Sequence, residues 1–231
     1  MRFAKYIFLF TLISTLVSCR QETKPSLERG RDIFMSFGCI RCHHVAGKGG
    51  LLGPDLTYVG FRKKPEWLDL WLRNPHAWKN NTLMPNFNLR DNLRESLVLY
   101  LSSLKGEAYR EGKKPWDNEE LASDPVKRGS VIFEKAGCVG CHAKGGVGGY
   151  PNNNTVGGKI PTLTFVADGY SKEELKERIR KGKVPDKANA SEPAPLIQMP
   201  PWGQVLTEDE MDSLVAYLYS LRPAKPAGEE W

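Results

Sequence analysis

Apolar residues recur at helical spacing in short segments, separated by polar and glycine-rich stretches. Leu93, Leu97, Tyr100, Leu101 and Leu104 fall on one helical face, and so do Met211, Leu214, Val215, Leu218 and Leu221. Thr207 with Glu210, and Ser171 with Glu174, have the spacing of a capping box, in which hydroxyl and carboxylate satisfy the first-turn N–H groups. Pro65 suits the first turn of a helix over 66–73, where its missing N–H would have no intrahelical partner. Glycine-rich loops run from Gly47 to Gly53 and from Gly145 to Gly158, and period-two alternation is scarce. The pattern predicts an all-α chain of short helices and long loops.

The pattern also repeats. Arg29-Gly30-Arg31-Asp32-Ile33-Phe34 with Gly38-Cys39-Ile40-Arg41-Cys42-His43 returns 99 residues later as Arg128-Gly129-Ser130-Val131-Ile132-Phe133 with Gly137-Cys138-Val139-Gly140-Cys141-His142. The closing helix, from Ser96 to Leu104, returns from Ser213 to Leu221 at an offset of 117, so the second copy carries 18 extra residues between its landmarks. Two copies imply two domains, with the polar, charged stretch from Lys105 to Asp124 as the linker. Domains this small, with so much loop, bury little apolar surface of their own. Something else is expected to fill their cores.

The first residues stand outside the repeat. Arg2 and Lys5 precede an apolar stretch of 12 residues, Tyr6 to Val17, followed by the small Ser18. That is the layout of a secretory signal over 1–18. Leu16-Val17-Ser18-Cys19 resembles the lipobox of bacterial lipoproteins, which implies lipid attachment at Cys19 and a protein held on the periplasmic or cell-surface side of a bacterial membrane. An uncleaved anchor or a soluble secreted protein are the other readings of such a segment. No run of 18 apolar residues occurs, which excludes a polytopic membrane protein.

Five cysteines are too few for a disulfide scaffold in 231 residues. Apart from Cys19 they fall in two C-x-x-C-H motifs, Cys39 and Cys42 with His43, and Cys138 and Cys141 with His142. This is the attachment pattern of c-type haem, in which two thiols bind the porphyrin and the adjacent His reaches the iron. A thioredoxin-like motif would need a βαβ context. A structural zinc would need its two cysteine pairs close together, and here they lie in separate copies. Disulfides remain open in an oxidising compartment. Met84-Pro85 and Met199-Pro200 follow the two histidines by 41 and 57 residues, in loops before the last helix of each copy, and are the expected second axial ligands. His76 competes in the first copy, while His44 directly follows His43 and cannot reach the same iron from the other side. Carbonyls of the Pro54 and Pro161 loops are placed to hold the proton-bearing nitrogens of His43 and His142.

These residues resemble class I cytochrome c domains, and the pair resembles a tandem dihaem cytochrome c of bacterial lipoprotein type. The resemblance implies two such domains wrapped around two covalent haem c groups, each an iron with His and Met axial ligands. It also sets Gly30 and Phe34 against Tyr100, and Gly129 and Phe133 against Tyr217, where first and last helices cross. The expected organisation is a signal over 1–18, a lipid-anchored tether over 19–25, domains over 26–105 and 125–223, a linker over 106–124 and a tail over 224–231. Occupied axial positions leave no room for substrate, so the expected function is single-electron transfer and not catalysis. Redox protein partners or a respiratory membrane complex would be the counterparts. A dihaem peroxidase or a small-molecule haem oxidoreductase, with one displaceable ligand, is the alternative.

Charge removes one further class. The net +6 falls to +4 without Arg2 and Lys5, and four haem propionates would lower it again, so no nucleic-acid partner is expected. What remains is uneven: residues 19–118 hold 17 basic against 11 acidic side chains, and residues 119–231 hold 14 against 16.

Overall fold

The first and last helices of each repeat cross and pack, and this crossing frames both halves of the molecule. The structure, a computed structural model, describes residues 24–224; the signal over 1–18, Cys19 and residues 225–231 lie outside the described residues. The first half comprises α1 (Leu27–Ser36), a two-residue hairpin of β1 (His44–Val45) and β2 (Lys48–Gly49), α2 (Val59–Arg62), α3 (Pro65–Arg73), α4 (Pro75–Trp78) and α5 (Asp91–Ser103). Two short helices follow, α6 (Glu107–Glu111) and α7 (Glu119–Ala122). The second half holds α8 (Pro125–Lys135), α9 (Val139–His142), α10 (Val166–Gly169), α11 (Lys172–Lys181) and α12 (Glu208–Ser220). This is the all-α architecture expected from the repeat, with the small hairpin as its one pair of named strands among the described residues.

Local chemistry starts these helices where the sequence predicts. Ser26 caps α1 by accepting from Arg29 N, and Asp124 caps α8 by accepting from Lys127 N. Pro65 opens α3, and both capping boxes form, Ser171 with Glu174 on α11 and Thr207 with Glu210 on α12.

The two crossings are near duplicates. A Cβ on Gly30 would stand 2.0 Å from Ser96 O, and one on Gly129 would stand 1.9 Å from Ser213 O. Only glycine allows helices α1 and α5, and α8 and α12, to come this close. The facing serines hand their hydroxyls to their own helix, Ser96 to Asn92 O and Ser213 to Asp209 O, so the tight contact leaves neither hydroxyl unpaired. Phe34 and Tyr100 then meet at 5.5 Å and 56°, and Phe133 and Tyr217 at 5.4 Å and 54°. Around these pairs Leu68, Leu72, Leu97 and Leu101 fill one core, and Leu175, Ile179, Leu214 and Leu218 the other.

The segment over 106–124 departs from a free polar tether. Tyr109, Trp116 and Leu121 are buried in the core of the second half. Glu210 of α12 accepts from Trp116 Nε1 at 2.7 Å and from Lys114 Nζ at 2.5 Å through Oε1, while Oε2 accepts Thr207 N at 2.8 Å. One buried carboxylate therefore caps a helix and fastens the connecting chain. Tyr58 of the first half joins the same cluster, packed against Tyr109 and, edge-on, against Trp202. The halves meet across this aromatic seam.

Candidate haem sites

In both halves the C-x-x-C-H motif is wound into one tight turn. His43 N donates to Cys39 O and His142 N to Cys138 O, each at 2.9 Å, so both cysteines and the histidine stay within a single helical turn. Glycine in the left-handed region, Gly38 and Gly137, stops the preceding helix just before the first cysteine. None of the four cysteines forms a disulfide. Burial raises the thiol of Cys39 above its ordinary value and pushes that of Cys138 up to about 12.

Each motif opens onto an apolar chamber. The first is lined by Cys39, Cys42, His43, Met84, Leu68 and Trp71, and its volume of about 1040 Å³ includes space that continues to Val139 and Tyr150 of the second half. The second, about 400 Å³, is lined by Cys138, Cys141, His142, Met199, Leu175 and Ile179. Thiol pair, imidazole and thioether thus border one cavity in each half, as the sequence pairs them.

The histidines differ in detail. His43 Nδ1 lies 3.0 Å from Pro54 O. A carbonyl only accepts, so Nδ1 carries the proton and Nε2 is left with the free lone pair that a metal needs. A Cβ on Gly53 would come 2.6 Å from the His43 ring, so the bare glycine lets this loop wrap the imidazole. His142 is more deeply buried. Burial pushes it down to about 4; the nearby Pro161 carbonyl opposes this, but Nδ1 makes no hydrogen bond. Both rings are therefore neutral at pH 7, His43 also being lowered by burial against the pull of Pro54.

The methionines are held by different means. Met84 N donates to Thr82 Oγ1, and Met84 Sδ accepts from Trp71 Nε1 at 3.0 Å. Trp71 stacks on Trp67 at 5.2 Å and 16°, which sets the direction of its N–H. Met199 is held by its backbone, exchanging hydrogen bonds of 2.9 and 3.0 Å with Lys183 just beyond α11. His76, the competing ligand, is exposed on α4, and His44 sits in β1.

The extra residues of the second half are tied over its chamber. Asn152, buried, donates to Ile197 O and accepts from Ile197 N; Asn153 accepts from Leu196 N. Asn154 bonds to Asn189 and to Pro193 O. Three consecutive amides thus join the two inserted loops. The repeat offset marks the added length but not this attachment, since hydrogen bonds between loops have no period. Trp71 is hidden for a similar reason: with Trp67 it reads as the core face of α3, and nothing in the spacing aims its N–H at Met84.

Two thiols, an imidazole and a thioether around an apolar chamber fit a porphyrin iron. Among the described residues no group of three or more His, Cys, Asp or Glu could hold a bare metal ion. The Cytochrome c family profile matches residues 27–105 and 126–222. The chain belongs to the cytochrome c family. Membership brings covalent haem c and haem-based electron transfer, and the two matched segments are the two repeats.

Among curated relatives of this cytochrome c, cytochrome c oxidase subunit 2 of Alkalihalophilus pseudofirmus is 33% identical over 94 residues, 37% of this chain and 28% of that protein. The chain thus spans little more than a quarter of that relative. Cytochrome c6 of Euglena gracilis is 31% identical over 98 residues, 41% of this chain and 85% of that protein. A nitric oxide reductase subunit of Stutzerimonas stutzeri is 24% identical over 115 residues, 43% of this chain and 79% of that protein. Each match is about the size of one repeat.

Proposed function

We propose that this protein is a dihaem, single-electron carrier, lipid-anchored at Cys19 and exposed on the periplasmic or cell-surface side of a bacterial membrane, that passes electrons between redox protein partners. A bound haem supplies an iron that cycles between ferric and ferrous. The chain's own residues do the rest. Cys39 with Cys42, and Cys138 with Cys141, hold the two groups by thioether bonds. His43 with Met84, and His142 with Met199, would ligate the iron, and the Pro54 carbonyl keeps the proton on Nδ1 of His43, which leaves the Nε2 lone pair free to bind it.

The observation that carries this reading is the presence of a histidine and a methionine on the wall of each chamber. With both axial positions filled by protein, no coordination site is left for a substrate, and small, reversible encounters at a haem edge become the natural mode of exchange. Two relatives are named as subunits of an oxidase and of a nitric oxide reductase, which supports a place beside or within a respiratory complex. The basic first half and mildly acidic second half give different partners different faces to meet. The absorption spectrum of the purified holoprotein tests the assignment. Two low-spin haems, each with the weak far-red band of methionine–iron ligation, are expected; high-spin iron or rapid peroxide turnover would refute it. Metabolic labelling with a fatty acid, lost in Cys19→Ala, tests the anchor.

A further inference from the structure

Arg62, the last residue of α2, is buried between the two chambers and lines both. Its Nη2 donates to Asp55 O at 2.8 Å, one residue beyond the Pro54 that holds His43. Its Nη1 donates to Gly137 O at 3.0 Å, one residue before Cys138. One guanidinium therefore ties the histidine-holding loop of the first half to the cysteine-bearing turn of the second. The fit is tight on the second side, where a Cβ on Gly137 would stand 2.5 Å from Arg62 Cζ.

The charge has no carboxylate at contact distance among the described residues. Among the described residues Arg62 forms no ion pair, and its Nε is buried without a hydrogen-bond partner. Asp55 offers Arg62 its backbone carbonyl, while its side chain accepts from Thr57 N and Tyr109 Oη. A buried cation held by carbonyl dipoles alone is expensive, and burial keeps salt from screening its field. Lys63 lies beside it, with Nζ 3.3 Å from Cys141 Sγ.

We propose that Arg62 is a positioning residue shared by both haem sites, whose buried charge raises the reduction potential of each. The inference rests on the dihaem reading above. A ferric haem carries one more positive charge than a ferrous one, so a fixed cation between the sites disfavours the oxidised form of both.

The test uses the full holoprotein. Mass spectrometry of the denatured chain counts covalent haems, and a spectroscopic redox titration follows both potentials in wild type and Arg62→Gln. Both reduction equilibria are expected to fall about tenfold, which for a one-electron couple is about 59 mV. Lys48→Gln, which removes an exposed charge on β2, is expected to move neither. Where Arg62→Gln does not load both haems, Arg62→Lys serves: its ammonium keeps the charge but cannot span both carbonyls, so the charge withdraws from at least one site and that potential falls. A wild-type chain carrying fewer than two haems overturns the dihaem reading and the shared residue with it. Two haems whose potentials ignore Arg62, a shift confined to one haem in Arg62→Gln, or an equal shift in Lys48→Gln overturns the shared role alone.

Discussion

The two sites share a framework and differ in cover. Glycine crossings, aromatic pairs and wound cysteine turns match in kind, yet the first chamber runs on across the boundary to Glu134 and Tyr150 of the second half, while the second chamber, about 400 Å³, is lined almost wholly by its own half. Exposed Leu51, Leu52 and Leu83 border the first. Over the second, the added loops are zipped together by Asn152, Asn153 and Asn154. The repeat thus keeps what holds a haem and varies what surrounds it. Cover sets the local dielectric, so unequal cover is a means of separating the potentials of two sites with the same ligands.

The largest expected effect tests whether the frameworks are equivalent. Gly129→Val drives a side chain into Ser213 O and should destabilise the second half by about 3 kcal/mol or more, read by urea unfolding; Gly30→Val should do the same to the first. Unequal losses would break the symmetry argued from the crossings. Asn152→Ala removes two buried amide bonds between the inserted loops, at a cost of about 2 kcal/mol. Added cyanide should then reach the second haem faster and the first unchanged. A change at both haems would mean that the cover is not local.

Trp71→Phe keeps the stack on Trp67 and removes the N–H from Met84 Sδ, a loss of about 1 kcal/mol. That N–H draws electron density from the sulfur, so its removal should lower the first potential alone, by about 40 mV in a redox titration. The most gradual effect is acid release of the connecting segment. Burial works against ionisation of Glu210, but bonds from Lys114, Trp116 and Thr207 outweigh it and hold its carboxyl below the usual 4.5. Its contribution to stability is therefore complete above pH 4.5 and lost as pH falls through the lower folded value. Fluorescence of Trp116 against a Trp116→Phe control should report that release; no pH dependence there would detach Glu210 from the fastening.

Much of the fold was legible because its determinants are periodic or punctual. Leu214 and Leu218 announce a buried face, Thr207 and Glu210 a helix start, and Cys138 to His142 an attachment turn. Side chains that work at long range leave no such mark. Trp116 sits among charged residues and looks solvated, yet its indole is buried and its N–H spoken for by a carboxylate 94 residues away. Arg62 likewise resembles an ordinary surface cation beside Lys63 and Lys64; only the tertiary fold shows that its two carbonyl partners come from the loop beside His43 and the turn before Cys138.

The fastening at Trp116 changes what counts as a unit. The family match to the second repeat begins at residue 126, but the hydrophobic interior it folds around includes Tyr58, Tyr109, Trp116 and Leu121, all encoded upstream. A fragment cut at the repeat boundary would leave an indole-sized void against Glu210 and a buried carboxylate without two of its donors. The second half thus borrows part of its interior from the chain that precedes it. The two repeats are similar in sequence, yet one of them depends for its interior on residues outside it.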